Sequence, residues 1–343
     1  MTALTKEGLR RQRRAEGRGR IVAFSVSYEA ENLLRRGLGL EHLRDLMTRI
    51  ARPLLRSGLN LAYGGNWKKA DDNFTYFLLD LINAELDDRD GRDSVTGTKL
   101  DMLYNHSSWP NYLEITPAIE AQWVRCCRIV RIDQEMAGID KPERIDDSRP
   151  SLRTSQRKLN AARTASAMRQ LMMKEIPITH PAGVKVEKIP PVEARVALGG
   201  KLTDYAGFMP GIFEEALATM QAGKPLYILG GFGGASEVLA KAILEPDEKW
   251  DKLLTIEGQT KANDKLANLL TSARAPVRQE VARLYEDLRK KVADARPAPE
   301  VVLKTGLSRS QTCDLMLSSS ISLVTRLTRD GMKVSLNLPS LSP

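Results

Sequence analysis

Three short apolar runs with strand character each end in a Gly-Gly pair. They are Leu59–Tyr63 before Gly64 and Gly65, Ala194–Leu198 before Gly199 and Gly200, and Pro225–Leu229 before Gly230 and Gly231. Paired glycines at the carboxyl end of a strand clear side chains from the turn, so main-chain N–H groups can approach a phosphate or ribose directly. Glycine is also a default turn residue, so one such pair says little. Three in the same context constrain the fold, because the carboxyl ends of a parallel α/β sheet form one edge and can line one nucleotide crevice.

The rest of the chain fits that sheet. Arg20–Ser27 is a β-rich run ending in Ser25-Val26-Ser27. Glu41–Ser57 has helical periodicity through Leu43, Leu46, Ile50, Leu54 and Leu55, with Pro53 expected to kink it and Gly58 to stop it. Strand Leu59–Tyr63, helix Phe74–Leu86, and strands Lys99–Tyr104 and Val124–Ile132 follow, with a polar loop expected at Asn105–Pro110. Gln134–Pro150 reads as surface loop, Ser151–Glu175 as helix and Pro177–Pro191 as an irregular link. Strand Ala194–Leu198, helix Gly211–Ala222, strand Leu226–Leu229 and helix Ala235–Leu244 resume the alternation. The expected fold is α/β: a Rossmann-like, doubly wound, mainly parallel sheet over residues 20–245. A basic flexible arm (1–19) precedes it. A helical C-terminal extension (246–343) follows, with helices over Leu253–Lys291 broken near Ala275-Pro276, further helix at Ser308–Thr328 and a strand at Met332–Leu338.

Composition narrows the function classes. With 343 residues and 42% hydrophobic content the chain can bury a large core. No apolar stretch approaches the roughly 18–20 residues that span a bilayer, and the basic N-terminus lacks an apolar segment behind it, so a cytoplasmic protein without membrane contact is expected. Three cysteines, two of them the adjacent Cys126 and Cys127, and three scattered histidines give neither a disulfide framework nor a zinc ligand set. Asp87–Gly91 suggests a calcium loop, but Gly97 stands where the acidic ligand is needed. The net charge of +9 includes an arginine-rich arm at Arg10–Arg14, yet with 5% aromatic residues and none among those arginines there is no stacking platform for nucleic acid. A positive cleft for an anionic small ligand accounts for the excess as well.

One order of features resembles a known family. A strand ending in Ser-x-Ser, a strand ending in Gly-Gly, a helix carrying Met168-Arg169, then Leu198-Gly199-Gly200 and Gly211-x-x-Glu214-Glu215 resembles the SLOG superfamily. This is the Rossmann-like group that includes the Lonely-guy phosphoribohydrolases and the DNA-processing protein of natural transformation. The enzymes carry a helical arginine followed by Pro-Gly-Gly-x-Gly-Thr-x-x-Glu. Onto that motif Arg169, Gly199, Gly200, Gly211 and Glu215 map residue by residue. The departures are Leu198 for proline, Ile212 for threonine, and Lys201–Pro210 where the motif has one residue. With the extra Gly230-Gly231-Phe232-Gly233-Gly234 loop, the chain looks more like SLOG branches of bacterial antiviral systems found beside TIR or sirtuin domains. Those relatives are thought to sense NAD-derived signals.

The resemblance implies a nucleotide ligand of ADP-ribose type with no tightly bound cofactor, and the lack of a ligand cluster implies no metal. The residues supply its chemical needs. Gly64, Gly65 and Asn66, Gly199–Lys201 and Gly230–Gly234 offer N–H donors, and Arg169, Arg195 and Lys201 are candidate cations. Glu214 or Glu215 would accept from ribose hydroxyls, Ser25 and Ser27 would bond phosphate or cap a turn, and Phe232 would stack on a base or pack down as a plug. Arg195 lies inside an apolar strand, where a buried guanidinium needs an anion. Two alternatives stay open: an N-glycosidic hydrolase using Glu215 and Arg169, and a DNA-binding protein like the transformation relative. A sensor with no recognisable effector domain would act through a separate effector protein or its own homo-oligomer. Leu315, Leu317, Ile321, Val324 and Leu327 offer an apolar surface for such assembly.

Overall fold

The computed structural model describes residues 19–70, 72–87, 102–148, 154–179, 186–205 and 207–296. The basic arm and the apolar 308–328 and 332–338 segments lie outside the described residues, as does most of the 87–91 acidic turn. Within them, strands β1 (Ile21–Ser27), β2 (Asn60–Gly64), β3 (Leu103–Ser108), β4 (Cys127–Ile132), β7 (Val192–Gly199) and β8 (Leu226–Leu229) form one sheet in the order β4-β3-β2-β1-β7-β8. Every pairing in it is parallel. The fold is the expected Rossmann-like doubly wound sheet, and its strand order reverses between β1 and β7.

Helices cover both faces, as a parallel sheet requires. On one face lie α1 (Ala30–Leu34), α2 (Leu40–Arg56), α3 (Phe74–Asp87) and α4 (Pro117–Trp123). The apolar stripe of α2, including Leu43, Met47, Ile50 and Leu54, packs with Phe24, Val26, Leu61 and Leu198 from the strands. Pro53 falls in the last turn of α2. On the other face lie α5 (Thr154–Leu171), α6 (Gly211–Gln221) and α7 (Gly234–Leu244). They are followed by α8 (Glu248–Leu253), α9 (Ile256–Ala262), α10 (Asp264–Ser272) and α11 (Ala275–Asp294). Leu266, Val281, Leu288 and Val292 of this C-terminal set share a core with Phe213, Leu217, Val238 and Leu239. None of the described helices is long and apolar enough to cross a membrane.

Several expectations need correction. The Asn105–Pro110 loop is in fact the second half of β3: Asn105, His106, Ser107 and Ser108 are all buried and pair with β4 through Ser108. Their polarity reads as loop, but β4 pairs along the whole run and β2 as far as His106, which satisfies the backbone and leaves these side chains inside. Helix α4 occupies the stretch just before β4, capped by Thr116, whose Oγ1 accepts from Ile119 N–H at 3.3 Å. The irregular link at Pro177–Pro191 contains an antiparallel pair, β5 (Ile176–Thr179) and β6 (Val186–Ile189). Gln134–Pro150 is less superficial than expected, since Gln134, Ile139 and Ile145 are buried. Gln134 exchanges hydrogen bonds with the Ile145 backbone at 2.9 Å each.

Candidate functional site

Because all six strands run the same way, the three Gly-Gly turns lie on one edge of the sheet. Gly64 ends β2, Gly199 ends β7 and Gly230 follows β8. From β2 to β8 is three strand spacings, or about 14 Å. The turns nevertheless serve two distinct arrangements.

The first is at the switch point, where β1 and β7 separate. Ser27 pairs in register with Gly199. Gly199 and Gly200 both have positive φ, +65° and +103°, a region that excludes ordinary side chains. A Cβ on Gly199 would stand 2.8 Å from the Ser27 carbonyl oxygen. The Gly200 N–H donates to that oxygen and the Lys201 N–H to Ser27 Oγ, each at 3.1 Å. The turn after β8 closes against them: Gly230–Phe232 forms one 3-10 turn, Gly233 and Gly234 again have positive φ, and the Ala235 N–H donates to Gly200 O at 3.1 Å. Together Ser27, Glu29, Asn32, Leu33, Leu43, Gly199, Gly200, Phe232 and Gly234 line a crevice of about 10 Å³, the space of roughly one water molecule. Phe232 is buried in the α2-side core, the plug arrangement rather than an exposed stacking ring. Lys201 is exposed at the rim, and Gly231 is half-buried.

The second arrangement is a buried charge cluster under α5 and α6. Arg195, fully buried, donates from Nε to Thr219 Oγ1 and from Nη1 to Ser25 Oγ, both at 2.8 Å, and lies 3.4 Å from Glu215 Oε2. Burial pushes its guanidinium below the ordinary arginine range, with Glu215 acting to hold the charge. Arg169 donates to Glu214 Oε2 at 2.5 Å and stands 3.9 Å from Glu215 Oε1. Ser166 bonds the other oxygen of Glu214. The anion that a buried guanidinium requires is therefore internal, two carboxylates for two arginines. Gly64 faces this cluster, where a Cβ would meet Met168 Cε at 2.9 Å and Glu215 Oε1 at 3.6 Å. Gly211 lies against the Arg169 guanidinium, 3.1 Å from Nη2 in the same sense. Gly65 packs on Tyr63 and Thr75, and exposed Asn66 binds Asn73 and the Lys68 N–H, so neither joins the crevice.

The Lys201–Pro210 insertion is folded inward. Tyr205, Phe208 and Met209 are buried with α6 and the C-terminal helices, Tyr205 Oη bonds Gln259 Oε1, and Tyr285 Oη donates to the Phe208 carbonyl, both at 2.9 Å. The insertion thus wedges the C-terminal helices against the segment that leads into Glu214 and Glu215.

Glu29, Asn32 and Leu33 of the crevice escaped sequence reasoning, as did Ser166, Thr219 and His106 beside the charge cluster. The first three were within reach, since the first β-α turn borders the switch point of such sheets. His106 is fully buried on β3; burial pushes its imidazole down to about 4, against a hydrogen bond with the Tyr104 backbone, and Arg195 adds to the fall. Among the described residues no group of three or more His, Cys, Asp or Glu side chains could hold a metal ion.

No curated protein matches the chain. The family model described as SLOG cluster2 matches residues 17–315, which contain the whole sheet, both glycine turns of the crevice and the charge cluster. By that match, and by a fold with its glycine turns at the switch point, the chain belongs to the SLOG superfamily as a member of SLOG cluster2.

Proposed function

We propose that the protein binds a nucleotide-derived ligand carrying ribose and phosphate, of the ADP-ribose or cyclic ADP-ribose type, at the β1–β7 switch point, and binds it without turnover. The observation that carries this reading is the meeting of four positive-φ glycines, Gly199, Gly200, Gly233 and Gly234, beside Ser27 where the strand order reverses. The Gly200, Lys201, Gly233 and Ala235 amides are taken up within the turns, so in this reading the phosphate is met at the first turn of α7, where the glycines leave no side chain in the way. Small-molecule sites occupy about 300–1,000 Å³, so the narrow crevice must open on the α1 side to admit a nucleotide. SLOG membership supports a nucleotide-related role. The biological setting in this reading is a bacterial antiviral sensor that signals to an effector protein or through its own assembly.

A hydrolase is the second reading, favoured by Arg169 lying beside Glu215. Against it, Glu215 already faces two guanidiniums and Glu214 is fully buried, so neither is poised to activate water.

A thermal-shift screen of ADP-ribose, cyclic ADP-ribose isomers, NAD, AMP and cyclic dinucleotides tests the proposal. A ligand at about 100 times its Kd adds about 2.7 kcal/mol to the folded state, a shift of several degrees. Ser27→Ala should weaken the response by about 1 kcal/mol. A flat response to every nucleotide would overturn the reading.

A further inference from the structure

Lys201 stands exposed at the rim, but two-pronged recognition of a phosphate needs a guanidinium, and one able to leave its partner. Arg195 has none of its surface exposed and Arg169 is held by fully buried Glu214, so neither can turn toward a ligand without stranding a carboxylate in the core. Arg36, just after α1, is differently placed. Its side chain is 34% exposed and its Nη2 pairs with Glu237 Oε2 at 2.5 Å. Its guanidinium lies on Gly233, where a Cβ would come within 2.7 Å of Nε and 3.4 Å of Cζ. Gly233 sits between Phe232 and Gly234, both lining the crevice, and α1 supplies Asn32 to the opposite wall. The arginine head therefore stands at the rim, on a residue with no side chain to block its rotation inward.

Glu237 is equipped to lose it. Its other oxygen is held by Lys241 Nζ at 3.0 Å, and Lys241 is itself seated over the Trp250 ring at 4.8 Å. When Arg36 turns away, Glu237 keeps a cationic partner, so the exchange leaves no unpaired charge. A guanidinium matches phosphate through two parallel N–H donors, which a lysine cannot do.

Resting on the switch-point reading, we propose that Arg36 is the phosphate-binding cation of the crevice, stored on Glu237 and transferred to the diphosphate of the ligand when it binds. The carboxylate competes with the ligand for the same guanidinium. Removing the carboxylate and removing the arginine must then act in opposite directions.

Isothermal titration of the full chain with ADP-ribose tests this, using wild type, Arg36→Ala, Glu237→Gln and the double variant. Arg36→Ala should bind roughly 10- to 100-fold more weakly, the range for a lost charge-assisted bond. Glu237→Gln should bind several-fold more tightly, and the double variant should lose that gain. The Arg36 side chain is at the surface and that of Glu237 is partly buried, and unchanged melting temperatures will show that the variants fold. Wild-type affinity in Arg36→Ala, or weaker binding in Glu237→Gln, would overturn the exchange while leaving the switch-point reading intact. Wild type that binds ADP-ribose nowhere, or binds it unchanged after Ser27→Ala and Gly200→Val together, would overturn both.

Discussion

Gly200 and Gly234 meet backbone to backbone: a Cβ on Gly234 would lie 2.0 Å from the Gly200 carbonyl oxygen, which accepts the Ala235 N–H at 3.1 Å. That contact welds the turn after β7 to the start of α7. Gly234→Ala adds a left-handed alanine and a collision with rigid backbone, and should cost about 2–5 kcal/mol. Urea denaturation measures it; an alanine variant as stable as wild type would show that the two turns are not locked.

Arg195 behaves as a structural cation in this geometry. Arg195→Met should destabilise the fold by about 3–5 kcal/mol, because Glu215 is left in the core without its nearest guanidinium. Adding Glu215→Leu should recover much of the loss, since apolar residues of similar volume can replace a buried pair. Chemical denaturation of the single and double variants decides it. A ligand-binding defect in a fully stable Arg195→Met protein would return Arg195 to the binding site.

His106 sets a pH dependence. Its folded-state value of about 4 lies below the unfolded value near 6.5, so the unfolded chain binds the extra proton. The neutral imidazole's contribution is whole above about pH 6.5 and is lost as pH falls to about 4, a total of roughly 3 kcal/mol. Denaturation midpoints between pH 7 and 4 should therefore fall, and the fall should shrink in His106→Leu. An identical slope in that variant would place the titration elsewhere.

Incubation with AMP or NAD should release no free base. Chromatography against a Glu215→Gln control reads this directly, and steady release that vanishes in the control would favour the hydrolase reading.

The alternation of β and α segments was legible because helix α2 and the strand runs carry clean apolar patterns. The hidden parts are those where buried surface is polar. Asn105–Ser108 read as loop, and the apolar pattern of helix α5 does not show that its Asn160, Thr164 and Ser166 are buried. Asn160 and Thr164 are satisfied by Gln134 Oε1 and the Trp109 carbonyl, partners that adjacent sequence does not reveal. The glycine turns announced the edge of the sheet, but which turns share a crevice depended on strand order. Arg36 carries no local mark, because its significance comes from Gly233 and Glu237 some two hundred residues away.

The centre of the sheet joins β1 to β7, and the Ser25–Arg195 bond spans 170 residues of chain. Such closure is slow, because its entropy is spent before the contacts reward it. During synthesis β1 through β4 emerge first and present the open edge of β1 until β7 arrives, a surface on which strands of other chains can add. The crevice comes into being only with that last pairing. A ligand that fits it therefore recognises completed molecules alone, and its presence during refolding should raise the yield of native protein without hastening the early steps.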